Sequence, residues 1–185
     1  MRRSTLCRVF LLALCLVFTG CVHHIHVMPL PTSVPSDTIP RTLQALISPI
    51  ALEGPDHRPG ITLLDWPHRD LAMGIVDYLR QRGTFASISL EAGDLSLHIA
   101  PKLVLSSRRG LYHYRIILQA DMHEASQLIK SYLVEQTAVG SSIRWVTASD
   151  RHPIETALQL ALEDVMQKIE ADRSLYLGRT TQSPS

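Results

Sequence analysis

Two alternating stretches, residues 95–106 and 112–122, restrict what this chain can fold into more than any other feature. Leu95, Leu97, Ile99, Leu103 and Leu105 alternate with Ser96, His98, Ala100, Lys102, Val104 and Ser106. After Arg108-Arg109-Gly110 the pattern resumes, with Tyr112, Tyr114, Ile116, Leu118, Ala120 and Met122 on one side. His113, Arg115, Gln119 and Asp121 fall on the other. Successive side chains of a strand point to opposite faces. Period-two alternation on both sides of a glycine-bearing turn therefore predicts a β-hairpin with one buried face. That face needs a second layer to cover it.

The cover is readable further along the chain. Ile154, Leu158, Ala161, Leu162, Val165 and Ile169 recur along one helical face, with Pro153 in the first turn behind Asp150 or His152. Leu71, Ile75, Tyr78 and Leu79 mark a shorter helix, with Asp65 as its expected N-cap, Pro67 in its first turn and Gly83 closing it. Strands are predicted over residues 43–52, 85–90 and 128–139. Strand, helix, several strands, helix, all with one apolar side, predicts an α+β fold. The expected form is a two-layer α/β sandwich of about four to five mostly antiparallel strands with two helices on one face.

Arg2, Arg3 and Arg8 precede an apolar run at residues 9–18. The run is about half the roughly 20 residues needed to cross a bilayer as a helix. With the small Gly20 before Cys21, it reads as an export signal. Val17-Phe18-Thr19-Gly20-Cys21 resembles the lipobox of bacterial lipoproteins, although Phe18 stands where Leu is usual. The resemblance implies that Cys21 is acylated and becomes the first residue of the mature chain. Val22, where aspartate marks inner-membrane retention, implies the outer membrane on its periplasmic side. The expected plan is a signal peptide over 1–20, a lipidated cysteine and Pro-rich tether over 21–42, one α/β domain over 43–177 and a tail over 178–185. Pro29, Pro31, Pro35 and Pro40 favour extended backbone. At about 3.1 Å per residue, such a tether would reach roughly 60 Å.

Composition narrows the function. Cys7, Cys15 and Cys21 are the only cysteines, so cleavage before Cys21 leaves no disulfide and no free thiol. An ordinary core must then hold the domain together, and 45% hydrophobic residues suffice for one. Three arginines and no acid leave with residues 1–20, taking the net charge from +1 down by three to −2. That balance argues against nucleic acid as a partner.

Candidate chemistry is sparse. His23, His24 and His26 are weak metal candidates, because imidazole suits Zn, Cu or Ni. No carboxylate or free thiol stands near them, so they read as solvated histidines, and no metal or cofactor is expected. His98, Lys102, His113 and Arg115 share the polar side of the hairpin, with Arg108 and Arg109 at its tip. Arg108, Arg109, His113 and Arg115 form the candidate face for a partner or an anionic ligand. The plainer reading is an ordinary wet sheet face. Trp66 and Trp145 read as packing residues. His123-Glu124 lacks the second histidine of HExxH, and neither a G-x-S-x-G elbow nor a glycine-rich phosphate loop occurs. The chain is expected not to be an enzyme.

Lipobox, tether, hairpin and closing amphipathic helix together make the chain similar to small periplasm-facing lipoproteins of Gram-negative bacteria. These include YajG-like lipoproteins, auxiliary lipoproteins of ABC-type transport systems and the lipopolysaccharide-assembly lipoprotein that plugs an outer-membrane barrel. Activators of penicillin-binding proteins belong to the same group. The resemblance implies a non-catalytic accessory or adaptor subunit of an envelope transport or assembly complex, held to the membrane by its lipid. The alternative is a binding module for an anionic envelope ligand: lipopolysaccharide, phospholipid or peptidoglycan. Replacing Cys21→Ser should abolish incorporation of labelled palmitate and leave an uncleaved precursor on gels. Labelling equal to wild type would refute acylation at this residue.

Overall fold

The computed structural model describes residues 21–54, 62–140 and 151–177. The predicted signal peptide and tail, together with Trp145 and Asp150, lie outside the described residues. In chain order the elements are β1 (Cys21–His24), β2 (Ile39–Ile47), β3 (Ala51–Glu53), β4 (Thr62–Asp65) and α1 (His68–Arg82). Then follow β5 (Phe85–Ser89), β6 (Leu95–Arg108), β7 (Leu111–Glu124), β8 (Gln127–Gly140) and α2 (Arg151–Ala171), with a short 3₁₀ turn, Arg173–Leu175, behind it.

The main sheet runs β5-β2-β6-β7-β8, with β3 continuing the line of β2 along β6. It therefore has six strands rather than four to five. It is also mixed rather than mostly antiparallel, since β2 lies parallel to β5 and β6, and β3 parallel to β6. The cause is α1, which carries the chain back so that β5 runs in the direction of β2. Leu43 then lies opposite both Ile88 of β5 and Leu95 of β6. The loop over 90–94 thus crosses β2 without reversing, pinned where the Thr42 backbone N–H donates to Asp94 Oδ2 at 2.9 Å. The predicted strand over 43–52 is two strands, because Pro49 interrupts the ladder. Pro101 sits in β6 opposite that break. β1 and β4 form a separate parallel pair.

The hairpin is as expected: β6 and β7 pair in register from Ser96–His123 to Arg108–Leu111. Arg109 and Gly110 both have positive φ, 55° and 79°, the twist a two-residue hairpin loop requires and the reason a glycine stands there. The next hairpin turns on Ala125 and Ser126, also at positive φ but without glycine. The apolar side of β6 and β7 is buried against α1 and α2, both on that face. Leu71, Ile75, Tyr78 and Leu79 are buried as their spacing predicts, as are Ile154, Leu158, Ala161, Leu162, Val165 and Ile169. Gly83 closes α1 in the left-handed conformation. Asp65 does not cap it: pairing with β1 keeps the backbone extended through Asp65, and Pro67 is the N-cap, without a side-chain bond. Trp66 is buried.

Residues 25–38, expected as free spacer, run instead as a strap over the helices. Ile25 and Val27 are buried in the common core while His26, Met28 and Leu30 face out. The strap crosses α1 at Gly74, where a Cβ would meet the Val27 carbonyl oxygen at 2.9 Å. Any larger residue would push the strap off. Further on, the Ser33 hydroxyl donates to Glu163, and Arg173 Nη1 pairs with Asp37 at 2.9 Å.

Beneath the strap lies a buried polar cluster. Arg82, 1% exposed, places Nη1 2.6 Å from Glu163 Oε2. It also donates through Nε and Nη2 to both oxygens of Glu170, at 2.9 and 3.1 Å. The Tyr78 hydroxyl donates to Glu163 at 2.7 Å and Thr84 to Glu170 at 2.7 Å. Burial opposes ionisation of Glu163, but hydrogen bonds from Arg82, Ser33 and Tyr78, with the charge of Arg82, outweigh it and hold the carboxyl at about 2. Burial and then Glu163 push the Tyr78 phenol up.

Replacing Arg82→Met strands two carboxylates and should cost about 3–5 kcal/mol in urea unfolding. The depressed Glu163 contributes stability that is present above its ordinary 4.5 and is lost as pH falls towards about 2. Thermal unfolding across that window should therefore slope less in Glu163→Gln than in wild type.

Candidate functional site

The helices cover one face of the sheet and leave the other open. Because opposed residues of antiparallel strands share a face, the register settles what the open face carries. Ser106 lies opposite His113, Val104 opposite Arg115, Lys102 opposite Ile117 and His98 opposite Asp121. Arg108, His113 and Arg115 thus fall on one face as expected, and Arg109 sits in the turn beside them. Two of the cations on this face are matched, however. Arg115 pairs with Glu135 on β8 at 3.2 Å and Lys102 with Glu53 on β3 at 2.8 Å. Such exposed pairs contribute little to stability, but they cancel positive potential. Arg108 and Arg109 are exposed, with no ion pair among the described residues.

The open face is more apolar at β8 than the sequence reading anticipates. Leu133 is 69% exposed, and Leu128 and Val139 about half exposed. These residues stand on the outward side of a 14-residue strand that pairs only with β7 among the described residues. On its inward side β8 is tied to the segment that follows α2. The Tyr132 hydroxyl donates to Asp172 Oδ2 at 2.9 Å and bonds the Tyr176 hydroxyl, while Lys130 pairs with Asp172 at 2.6 Å. Hydrogen bonds from Lys130, then Tyr132, hold the Asp172 carboxyl below the usual range. The edge strand is thereby anchored while its outer row stays uncovered.

At the other end of the face, His98 and His123 stand with ring centroids 4.6 Å apart. Asp121 lies beside them, its carboxylate accepting from Gln119 and Ser131. Glu124 is taken by Arg41 at 2.7 Å. Among the described residues, no three His, Cys, Asp or Glu side chains form a group that could hold a metal ion.

The N-terminal residues are placed differently. The backbone of Cys21, His23 and His24 belongs to β1, with Cys21 opposite Thr62. His26 leaves that strand and places Nδ1 2.8 Å from Asp70 on α1. His26 thereby serves as a clasp for the strap. Among the described residues, no helix is long and apolar enough to cross a membrane.

Comparison with known proteins gives the fold. No family model matches the chain, and no curated protein matches it. A DUF330 protein from Xanthomonas campestris superposes with a TM-score of 0.57 at 16% identity, covering 81% of this chain and 95% of its own. A hypothetical protein from Chlamydia trachomatis superposes with a TM-score of 0.50 at 9% identity, over 74% and 98%. A minor lipoprotein from Acinetobacter baumannii gives 0.44 at 12% identity, over 67% and 93%. This chain has the fold of the first two.

Proposed function

We propose that the chain is a lipid-anchored envelope protein, attached through Cys21 to the periplasmic side of the outer membrane. In this reading its α/β domain is a non-catalytic adaptor that receives a partner protein on the open sheet face. The observation that carries the reading is the outer row of β8. A long, anchored edge strand presenting Leu128, Leu133 and Val139 to solvent is a surface that proteins ordinarily cover or blunt with charge. An extended segment of a partner laid along β8 would satisfy its free backbone groups and bury the exposed leucines, the mode known as β-augmentation.

The lipobox supports the envelope assignment, and the docked strap supports a short distance from membrane to domain. The open face suits contact more than reaction, since its polar groups are spread over several strands and mostly paired with one another. A photo-reactive amino acid at Leu133 or Val139 should crosslink in intact cells to one defined envelope protein. The same probe at Leu160, exposed on α2, should not. Equal crosslinking from both sites, or recovery of the free lipoprotein alone, would count against the adaptor reading.

A further inference from the structure

His98 and His123 lie diagonally across neighbouring strands of the open face, His98 opposite Asp121 and His123 opposite Ser96. Their rings incline at 47°. His123 Nδ1 is 3.2 Å from the backbone carbonyl oxygen of Asp121. A carbonyl can only accept, so Nδ1 carries the proton and Nε2 keeps its lone pair. This is how metal-binding imidazoles are commonly oriented. The Asp121 carboxylate on the same face adds a negative charge that favours a cation.

The ring spacing fits a shared ion. With metal–nitrogen bonds of about 2.0 Å, two imidazoles on one cation have centroids about 4.5 Å apart at a right angle and about 5.2 Å apart at the tetrahedral angle. The observed 4.6 Å is close to that spacing. Among divalent first-row metals, Cu(II) binds most strongly to imidazole ligands.

We propose that His98 and His123 form a two-imidazole site for a divalent transition metal, Cu(II) above others, with solvent filling the remaining positions. Both ligands stand on paired strands, so binding orders little that is not already ordered. Two protein ligands leave the ion exchangeable and its outer side open. The site uses none of histidines 23, 24 and 26, and stands whether or not Cys21 is acylated.

The test uses the full chain in detergent, purified without a histidine tag and carrying His23→Ala, His24→Ala and His26→Ala, titrated with Cu(II) alone. One Cu(II) per chain should be retained, with nitrogen hyperfine structure from two imidazoles in its paramagnetic resonance spectrum. His98→Ala and His123→Ala should each weaken binding about tenfold or more, with thermal melting used to confirm the fold. His113→Ala, further along β7, should leave it unchanged. Failure of the parent to retain Cu(II), or equal affinity in the His98→Ala/His123→Ala double variant, would overturn the site.

Discussion

The arrangement depends on one buried cation. Arg82 ends α1, and its guanidinium lies between two carboxylates of α2 one below the other. One positive charge against two negative ones leaves an excess that burial would make costly. The excess is spread over neutral donors: Tyr78 and Ser33 on Glu163, and Thr84 on Glu170. Those donors come from α1, the strap and the entry to β5. The cluster therefore fixes four parts of the chain relative to one another, which apolar packing alone does less specifically.

That cluster explains why the molecule has two unlike faces. With α1, α2 and the strap bound together by charge, all of the covering material lies on one side of the sheet. Nothing among the described residues is left to cover the other. The open face answers with cross-strand pairs, Arg115 with Glu135 and Lys102 with Glu53, as a solvated antiparallel face does. The pattern breaks at the edge, where Leu133 and Val139 take the positions that charge would ordinarily hold.

What could be read from the sequence follows the range of the forces involved. The β6–β7 hairpin was legible because alternation and Gly110 are local signals, and α2 because its apolar spacing runs over about four turns. The β7–β8 turn was not, since Ala125 and Ser126 adopt positive φ without the glycine or asparagine that announces it. The strap carried a readable alternation, Ile25, Val27 and Pro29 against His26, Met28 and Leu30, masked by its prolines. The parallel pairing of β2 with β5 and β6 depends on how α1 returns the chain, which periodicity does not encode. Arg82, at the end of an apolar stripe, carries no local sign of burial. Only the fold brings Glu163 and Glu170 to it. The His98–His123 pair was equally hidden, because a one-residue slip in register would separate the two.

The docked strap also changes what a lipid at Cys21 would do. A free spacer of twenty residues would let the domain range far from the bilayer. With Ile25 buried in the core, only three residues lie between it and Cys21, a span of at most about 14 Å of extended chain. An acyl anchor there would hold the body close to the headgroups. The strap packs on α1 at Gly74 and on α2 at Glu163, in the layer opposite the open face. Attachment and recognition would then occupy different sides of the sheet, and a partner could reach β8 without displacing the segment that leads to the membrane.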